Sequence, residues 1–185
     1  ISADDPAGPA PVIECPGRVF PVETSYRPLA ASTRWEAEFA DLVAGLLPNA
    51  EGDVLAFLPG VREIERVAGR LATLATLPGS RPEVFPLHGS LPLERQQAVL
   101  RQRDPGAGQR VVLATSIAET SLTVPGIRLV VDAGWARTAE LHHATGLERL
   151  VTARVSASSA DQRRGRAGRL CPGRCVRAWK ETSSR

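Results

Sequence analysis

Residues 110–134 read RVVLATSIAETSLTVPGIRLVVDAG. Two of its runs, "RVVLAT" (110–115) and "RLVVDAG" (128–134), are apolar, β-branched and nearly unbroken. A strand wet on one face alternates in polarity, whereas a strand apolar throughout is buried on both faces, as in parallel sheets covered by helices. Between the runs, "SIAETSLTVPG" reads as a loop or a short helical turn rich in hydroxyl side chains.

Working outward, the same alternation of short strands and helices recurs. Upstream, Thr33-Arg34-Trp35-Glu36 has the form of a capping box, and Trp35, Phe39, Leu42, Val43 and Leu46 then share one helical face until Pro48. "DVLAFLP" (53–59) is a strand closed by Pro59-Gly60. "VREIERVAGRLATL" (61–74) is a helix with Val61, Ile64, Val67 and Leu71 on one side. "EVFPLHG" (83–89) is a strand and "LPLERQQAVLRQ" (91–102) a helix with Pro92 in its first turn. Downstream, residues 135–156 form a hairpin around Ala144-Thr145-Gly146, the octet "QRRGRAGR" (162–169) begins a helix, and "RCVRAW" (174–179) is a last strand. Residues 1–31 are Pro-rich and aperiodic, with one short strand near 17–23. These elements predict an α/β fold, a three-layer domain with a mainly parallel sheet and a hairpin on its C-terminal side. Ligands in such sheets sit at the carboxyl ends of the strands, here the segments 59–61, 88–91, 115–126 and 156–163.

The chain has 185 residues and 43% hydrophobic content, enough for one domain with a substantial core. Its apolar runs are far too short to span a membrane, and no signal peptide opens it. It contains no methionine, which predicts a piece cut from a longer protein. Net charge is +3, but residues 1–150 sum to −4 and residues 151–185 to +7. Lys180 is the only lysine, a bias that a GC-rich genome accounts for but that does not explain the clustering of arginines. A local basic excess points to polyphosphate or nucleic acid. Cys15, Cys171 and Cys175 cannot all pair. Cys171 and Cys175 form a C-x3-C with no second pair beside it, and His142 and His143 lie on another segment, so no metal site is expected and reduced cytoplasmic thiols are.

The octet holds four arginines in eight positions, and like charges at i,i+3 repel on a helix. Something anionic is therefore expected opposite them. No G-x-x-x-x-G-K-[ST] phosphate loop and no D-E-x-[HD] carboxylate pair occurs. The chain is not equipped to hold and hydrolyse a nucleotide alone. An arginine cluster on such a scaffold suggests charge supplied to a nucleotide held elsewhere.

With these residues in hand, the chain resembles the helicase C-terminal domain, the second RecA-like domain, of DEAH-type superfamily-two helicases. "QRRGRAGR" is similar to their motif VI and "ATSIAETSLTVPGI" (114–127) to their motif V. "FLPGVREIE" (57–65) resembles motif IV, "LHGSLPLERQQ" (87–97) the motif that follows it, and "VVDAG" (130–134) the strand before the hairpin. The Phe-Leu-Pro-Gly and Leu-His-Gly-Ser-Leu-Pro strings look most like the bacterial HrpB group. The match runs over about residues 53–180, in the family's order. Residues 11–28 are similar to the connector leaving the first domain, so 1–31 is expected to be linker and 32–185 the domain.

The resemblance implies roles. Arg166 and Arg169 match two arginine fingers that reach a γ-phosphate across the interdomain cleft, and Gln162 the residue that helps place the attacking water. Gly165, with Gly168, would let backbone approach closely. Arg164 stands where the family has a small residue and is expected to face solvent; Arg163 receives no clear role. Thr115 matches a nucleic-acid backbone contact, next to Ser116 in place of the usual Asn. Ser121 matches a sensor of nucleotide state and Thr123 lies beside the ribose, although Ser and Thr in such a segment also serve as local turn caps. Pro125 replaces the acidic residue that bonds the ribose. Gly60, His88, Gly89 and Ser90 match positions touching a single strand, with His88 readable also as a merely packed or surface residue. The hairpin wedges against a duplex junction in that family; its sequence here reads nearly as well as a plain surface hairpin.

ATP and magnesium are thus implied for a longer, cytoplasmic enzyme, held mainly by a first RecA-like domain outside this chain. Single-stranded nucleic acid, RNA rather than DNA, is the implied partner. The competing reading is a non-catalytic nucleic-acid-binding or adaptor module on the same fold, and a second is a flexible arginine-rich segment, which the flanking apolar strands argue against.

Overall fold

The computed structural model describes residues 20–30, 33–74, 82–102, 104, 106–120, 122–142 and 146–181. Six parallel strands form one sheet in the order β1-β8-β5-β2-β4-β3. They are β1 (Val22–Tyr26), β2 (Asp53–Phe57), β3 (Glu83–Leu87), β4 (Arg110–Ala114), β5 (Ile127–Asp132) and β8 (Gly173–Arg177). The helices are α1 (Trp35–Leu46), α2 (Val61–Leu74), α3 (Leu93–Leu100), α4 (Ile117–Thr120) and α5 (Ala157–Arg164). The hairpin strands β6 (Trp135–His142) and β7 (Leu147–Arg154) pair antiparallel as a separate two-stranded sheet.

Side-chain parity along the central strands explains the layers. Val54, Ala56 and Leu58 join Phe39, Val43, Ile64, Val67 and Leu71 in the core under α1 and α2. Leu55 and Phe57 point the other way, into the core with Val99, Ala118 and Ala167. β4 splits likewise, with Val111 and Leu113 on the first face and Val112 and Ala114 on the second. Successive residues of a strand face opposite sides, so a strand between two helical layers must be apolar at every position. That is why the unbroken runs carried the fold.

The capping box is not formed: α1 starts at Trp35 with Arg34 as its N-cap and no side-chain cap bond, and Glu36 is instead turned inward onto Arg66 at 2.6 Å. The octet does not begin a helix. Ser156 is the N-cap, its Oγ accepting from the Ser159 amide at 3.1 Å, so α5 starts at Ala157 and the octet spans its last turn and a 3-10 turn, Gly165–Gly168. Pro92 precedes α3 rather than lying inside it. Residues 115–120 and 122–126 do not stay at the carboxyl edge: they run from the end of β4 through α4 to the amino end of β5. There the Pro125 carbonyl accepts from Arg110 Nη2 at 2.6 Å. The strand foreseen near 17–23 lies at 22–26 and pairs with β8. The tip of the hairpin, at 143–145, lies outside the described residues. Arginine-rich disorder does not hold for 157–168, which is helical.

Candidate nucleotide and nucleic-acid edge

Parallel pairing brings the carboxyl ends of the strands side by side. The Thr115 amide donates to the Leu87 carbonyl at 3.1 Å, the Leu58 amide to Ala114 at 2.8 Å, and the Ala133 amide to Phe57 at 3.1 Å. His88-Gly89-Ser90, Thr115-Ser116 and Pro59-Gly60 are therefore neighbours on one edge. His88 Nδ1 lies 2.8 Å from Ser90 Oγ. Gly89, Ser90 and Ser116 are exposed, but Gly60 is buried. A Cβ built on Gly60 would lie 2.7 Å from Arg137 Cζ and 2.8 Å from Glu63 Oε2, so glycine is what lets the Arg137–Glu63 pair close over that turn. Arg137, not Gly60, is the exposed residue there.

Gln162, Gly165, Arg166, Gly168 and Arg169 line an open cleft of about 640 Å³ together with Glu119 and Thr120. Thr123 joins them, because Arg169 Nη1 donates to its Oγ1. Ser121 lies outside the described residues. Gln162, Arg164 and Arg169 are exposed; Arg166 is buried. Arg166 Nε donates to the Glu119 carbonyl at 2.8 Å, where Nη2 also bonds, and Nη1 donates to the Leu122 carbonyl at 2.7 Å. Burial, then the nearby charge of Arg169, lowers the Arg166 guanidinium from its usual range, against the pull of Glu119.

The four arginines coexist because each meets a different partner. Arg163 is buried against Glu119 Oε2 at 3.0 Å and Asp132 Oδ1 at 2.9 Å, with its Cζ 4.9 Å from the Phe57 ring centroid. Arg164 faces solvent as expected, 3.7 Å from Asp161. Arg166 takes backbone carbonyls and Arg169 a hydroxyl. Three residues that set this edge gain no role from the sequence alone: Arg163, its partner Asp132, and Arg177. Burial raises the Asp132 carboxyl above the usual range, opposed by Arg163, the Gly134 amide and Arg177. Arg177 bonds Asp161 at 2.8 Å and the Tyr26 hydroxyl at 3.1 Å, tying β8 to α5 and β1. The one available signal was the pairing of lone charges with apolar strands: Asp132 closes "LVVD" and Arg177 interrupts "CVRAW".

The free charge of the cleft is cationic, and the Glu119 carboxylate on its wall is taken by Arg163, so the cleft suits phosphate oxygens rather than a magnesium ion. Among the described residues no group of three His, Cys, Asp or Glu comes together to hold a metal. Among them, too, no helix is long and apolar enough to cross a membrane.

A parallel sheet covered on both faces, with a side hairpin and this basic turn at its edge, is the RecA-like fold. Residues 37–171 match the family described as the helicase conserved C-terminal domain, and the chain belongs to that family. It is 49% identical over 164 residues to the ATP-dependent RNA helicase HrpB of Escherichia coli strain K12, covering 89% of this chain and 20% of that protein. It is 40% identical over 178 residues to the ATP-dependent RNA helicase HrpA of the same organism, covering 93% of this chain and 13% of the relative. The crystal structure of the E. coli DExH-box NTPase HrpB superposes with a TM-score of 0.82 at 46% identity, over 91% of this chain and 20% of that one. The chain thus spans about a fifth of the length of its HrpB relative.

Proposed function

We propose that this domain is the second motor half of an ATP-dependent RNA helicase acting in the cytoplasm. In this reading Arg169 and Arg166 supply positive charge to the terminal phosphate of an ATP held by a preceding RecA-like domain, and Gln162 helps orient the attacking water. The observation that carries it is the cleft itself, where Gln162, Gly165, Arg166, Arg169 and Thr123 converge. A planar guanidinium suits the task because its donors grip phosphate oxygens in fixed geometry and its charge is permanent. ATP brings the phosphoryl group to be transferred; magnesium belongs to ligands outside this chain. His88, Gly89, Ser90, Thr115 and Ser116, along the carboxyl edge, hold a single strand by its phosphates without reading bases. Gly60 contributes as the turn that seats Arg137. Residues 1–31 serve as the connector from the first domain, ending in a strand that this sheet has recruited.

The rival reading, a binding or adaptor module without catalysis, draws on one observation: Arg166 is already occupied by two carbonyls of its own domain. One comparison separates the two. The full-length protein should release phosphate from ATP faster with single-stranded RNA, and the 185-residue chain should release none above background. The chain alone should bind single-stranded RNA weakly and lose affinity steeply with salt. Phosphate release by the chain alone, or a full-length protein that RNA does not stimulate, would overturn this reading.

A further inference from the structure

Arg163 has no part in the roles above, yet it touches more of the proposed machinery than any other member of the octet. From α5 it reaches Glu119 on α4 at 3.0 Å, Asp132 at the end of β5 at 2.9 Å, and the carbonyl of Trp135, the first residue of β6, at 3.3 Å. Asp132 Oδ1 also accepts from the Gly134 amide at 2.8 Å, fixing the turn into the hairpin. Glu119 is held twice, its carboxylate by Arg163 and its carbonyl by Arg166. One guanidinium thus joins the arginine turn, the loop bearing Thr115 and Thr123, and the base of the hairpin.

Stability alone is a poor reason for this arrangement. A buried ion pair is often no better than apolar residues of the same volume. This one is also incompletely satisfied: Arg163 Nη2 and Asp132 Oδ2 are buried with no hydrogen-bond partner among the described residues. Arg110, at the opposite edge, shows what a stabilising anchor looks like, with Nε on Asp53 at 2.7 Å, Nη1 on the Val99 carbonyl at 2.7 Å and Nη2 on Pro125. An under-satisfied hub spanning three segments is suited to changing partners when one of them moves.

We propose that Arg163 is a positioning residue that couples the hairpin and the nucleic-acid loop to the arginine turn, so that single-stranded RNA and nucleotide alter each other's affinity through it. This deepens the helicase reading and rests on it. The test uses the full-length protein and measures affinity for single-stranded RNA with and without a non-hydrolysable ATP analogue. Coupling of this kind changes affinity by roughly 5- to 150-fold. In Arg163→Met/Asp132→Asn, which removes the buried Arg163–Asp132 pair and leaves unpaired the partly exposed Glu119 carboxylate, that factor should fall to about one while each ligand alone binds within about threefold of wild type, a smaller change than the lowest coupling factor. Arg163→Lys, which can reach one carboxylate but not span all three partners, should retain part of it.

A merely structural Arg163 would instead weaken both ligands together and leave the factor unchanged, and that result overturns the proposal. So does a wild-type protein that binds both ligands with no mutual effect, which leaves the helicase reading standing. A wild type that binds neither ligand sinks the helicase reading itself. If the double variant does not fold, Arg163→Lys decides: an unchanged factor rejects the proposal and a reduced one at unchanged separate affinities supports it.

Discussion

Arg163 and Arg164 are adjacent on α5 and opposite in environment: the first side chain is 1% exposed between Asp132 and Glu119, the second 44% exposed beside Asp161. Removing one partner of a buried pair strands the other charge and costs about 3–5 kcal/mol, whereas an exposed pair contributes about 0–1 kcal/mol. Arg163→Ala should therefore lower the unfolding free energy of the domain by several kcal/mol and Arg164→Ala by less than about 1 kcal/mol. Urea denaturation of the two variants beside wild type measures both; equal losses would contradict the burial contrast.

The two glycines of the octet separate in the same way. A Cβ added at Gly168 would lie 2.6 Å from the Phe20 carbonyl oxygen and 2.6 Å from Val22 Cγ2, while one at Gly165 meets nothing within 4 Å. Gly168 is the point where the arginine turn lies against the segment entering β1, and the Phe20 amide donates back to its carbonyl at 3.0 Å. Gly168→Ala must push that segment away, and a clash of this kind costs about 1–3 kcal/mol. Gly165→Ala should leave the melting temperature within about 2 °C, since a change well under 1 kcal/mol moves a domain of this size by no more. Thermal unfolding of both variants checks the order.

What was legible in the sequence followed from periodicity. Strands buried on both faces leave unbroken apolar runs, and Ile64, Val67 and Leu71, recurring at helical spacing, mark α2 at 61–74. The ends were less legible where tertiary contacts outweigh local preference. Thr33 to Glu36 had the letters of a capping box, but Glu36 finds Arg66, thirty residues away, a better partner than its own backbone. The α5 start is hidden in the sequence because Ser156, the cap, sits in a run of small residues that reads as loop. The site was legible as a list of residue types but not as a geometry. Nothing in "QRRGRAGR" says that one arginine turns into the core while its neighbour faces water, because the partners, Asp132 and Glu119, lie 31 and 44 residues upstream.

The cysteines make a chemical prediction. Burial, then the Asp132 charge, pushes the Cys175 thiol up to about 12. A raised thiol pKa keeps the neutral form, so at pH 8 the reactive thiolate is essentially absent, and the side chain is also 1% exposed. Cys171 is half-buried and free. Brief alkylation at pH 8 followed by mass spectrometry should label Cys171 and spare Cys175 in the folded domain, and label both in denaturant. Native labelling of Cys175 at the rate of Cys171 would show that β8 opens at this position.

The last prediction separates the two arginines assigned to the phosphate. Arg169 is exposed and among the described residues bonds only the Thr123 hydroxyl, so Arg169→Ala should leave the stability of the domain unchanged. In the full-length protein it should lower kcat by roughly 10³- to 10⁵-fold, the usual contribution of an arginine finger, with RNA affinity retained. Arg166→Ala should do the same to kcat and, in addition, destabilise the domain. Its loss strands the Glu119 and Leu122 carbonyls, and an unsatisfied buried polar group costs about 1–3 kcal/mol. The check is a pair of measurements on each variant, urea denaturation of the domain and steady-state ATP hydrolysis by the full-length protein with saturating RNA. If Arg166→Ala destabilises while turnover survives, Arg166 is a clamp on the motif V loop, and Arg169 alone supplies charge to the phosphate.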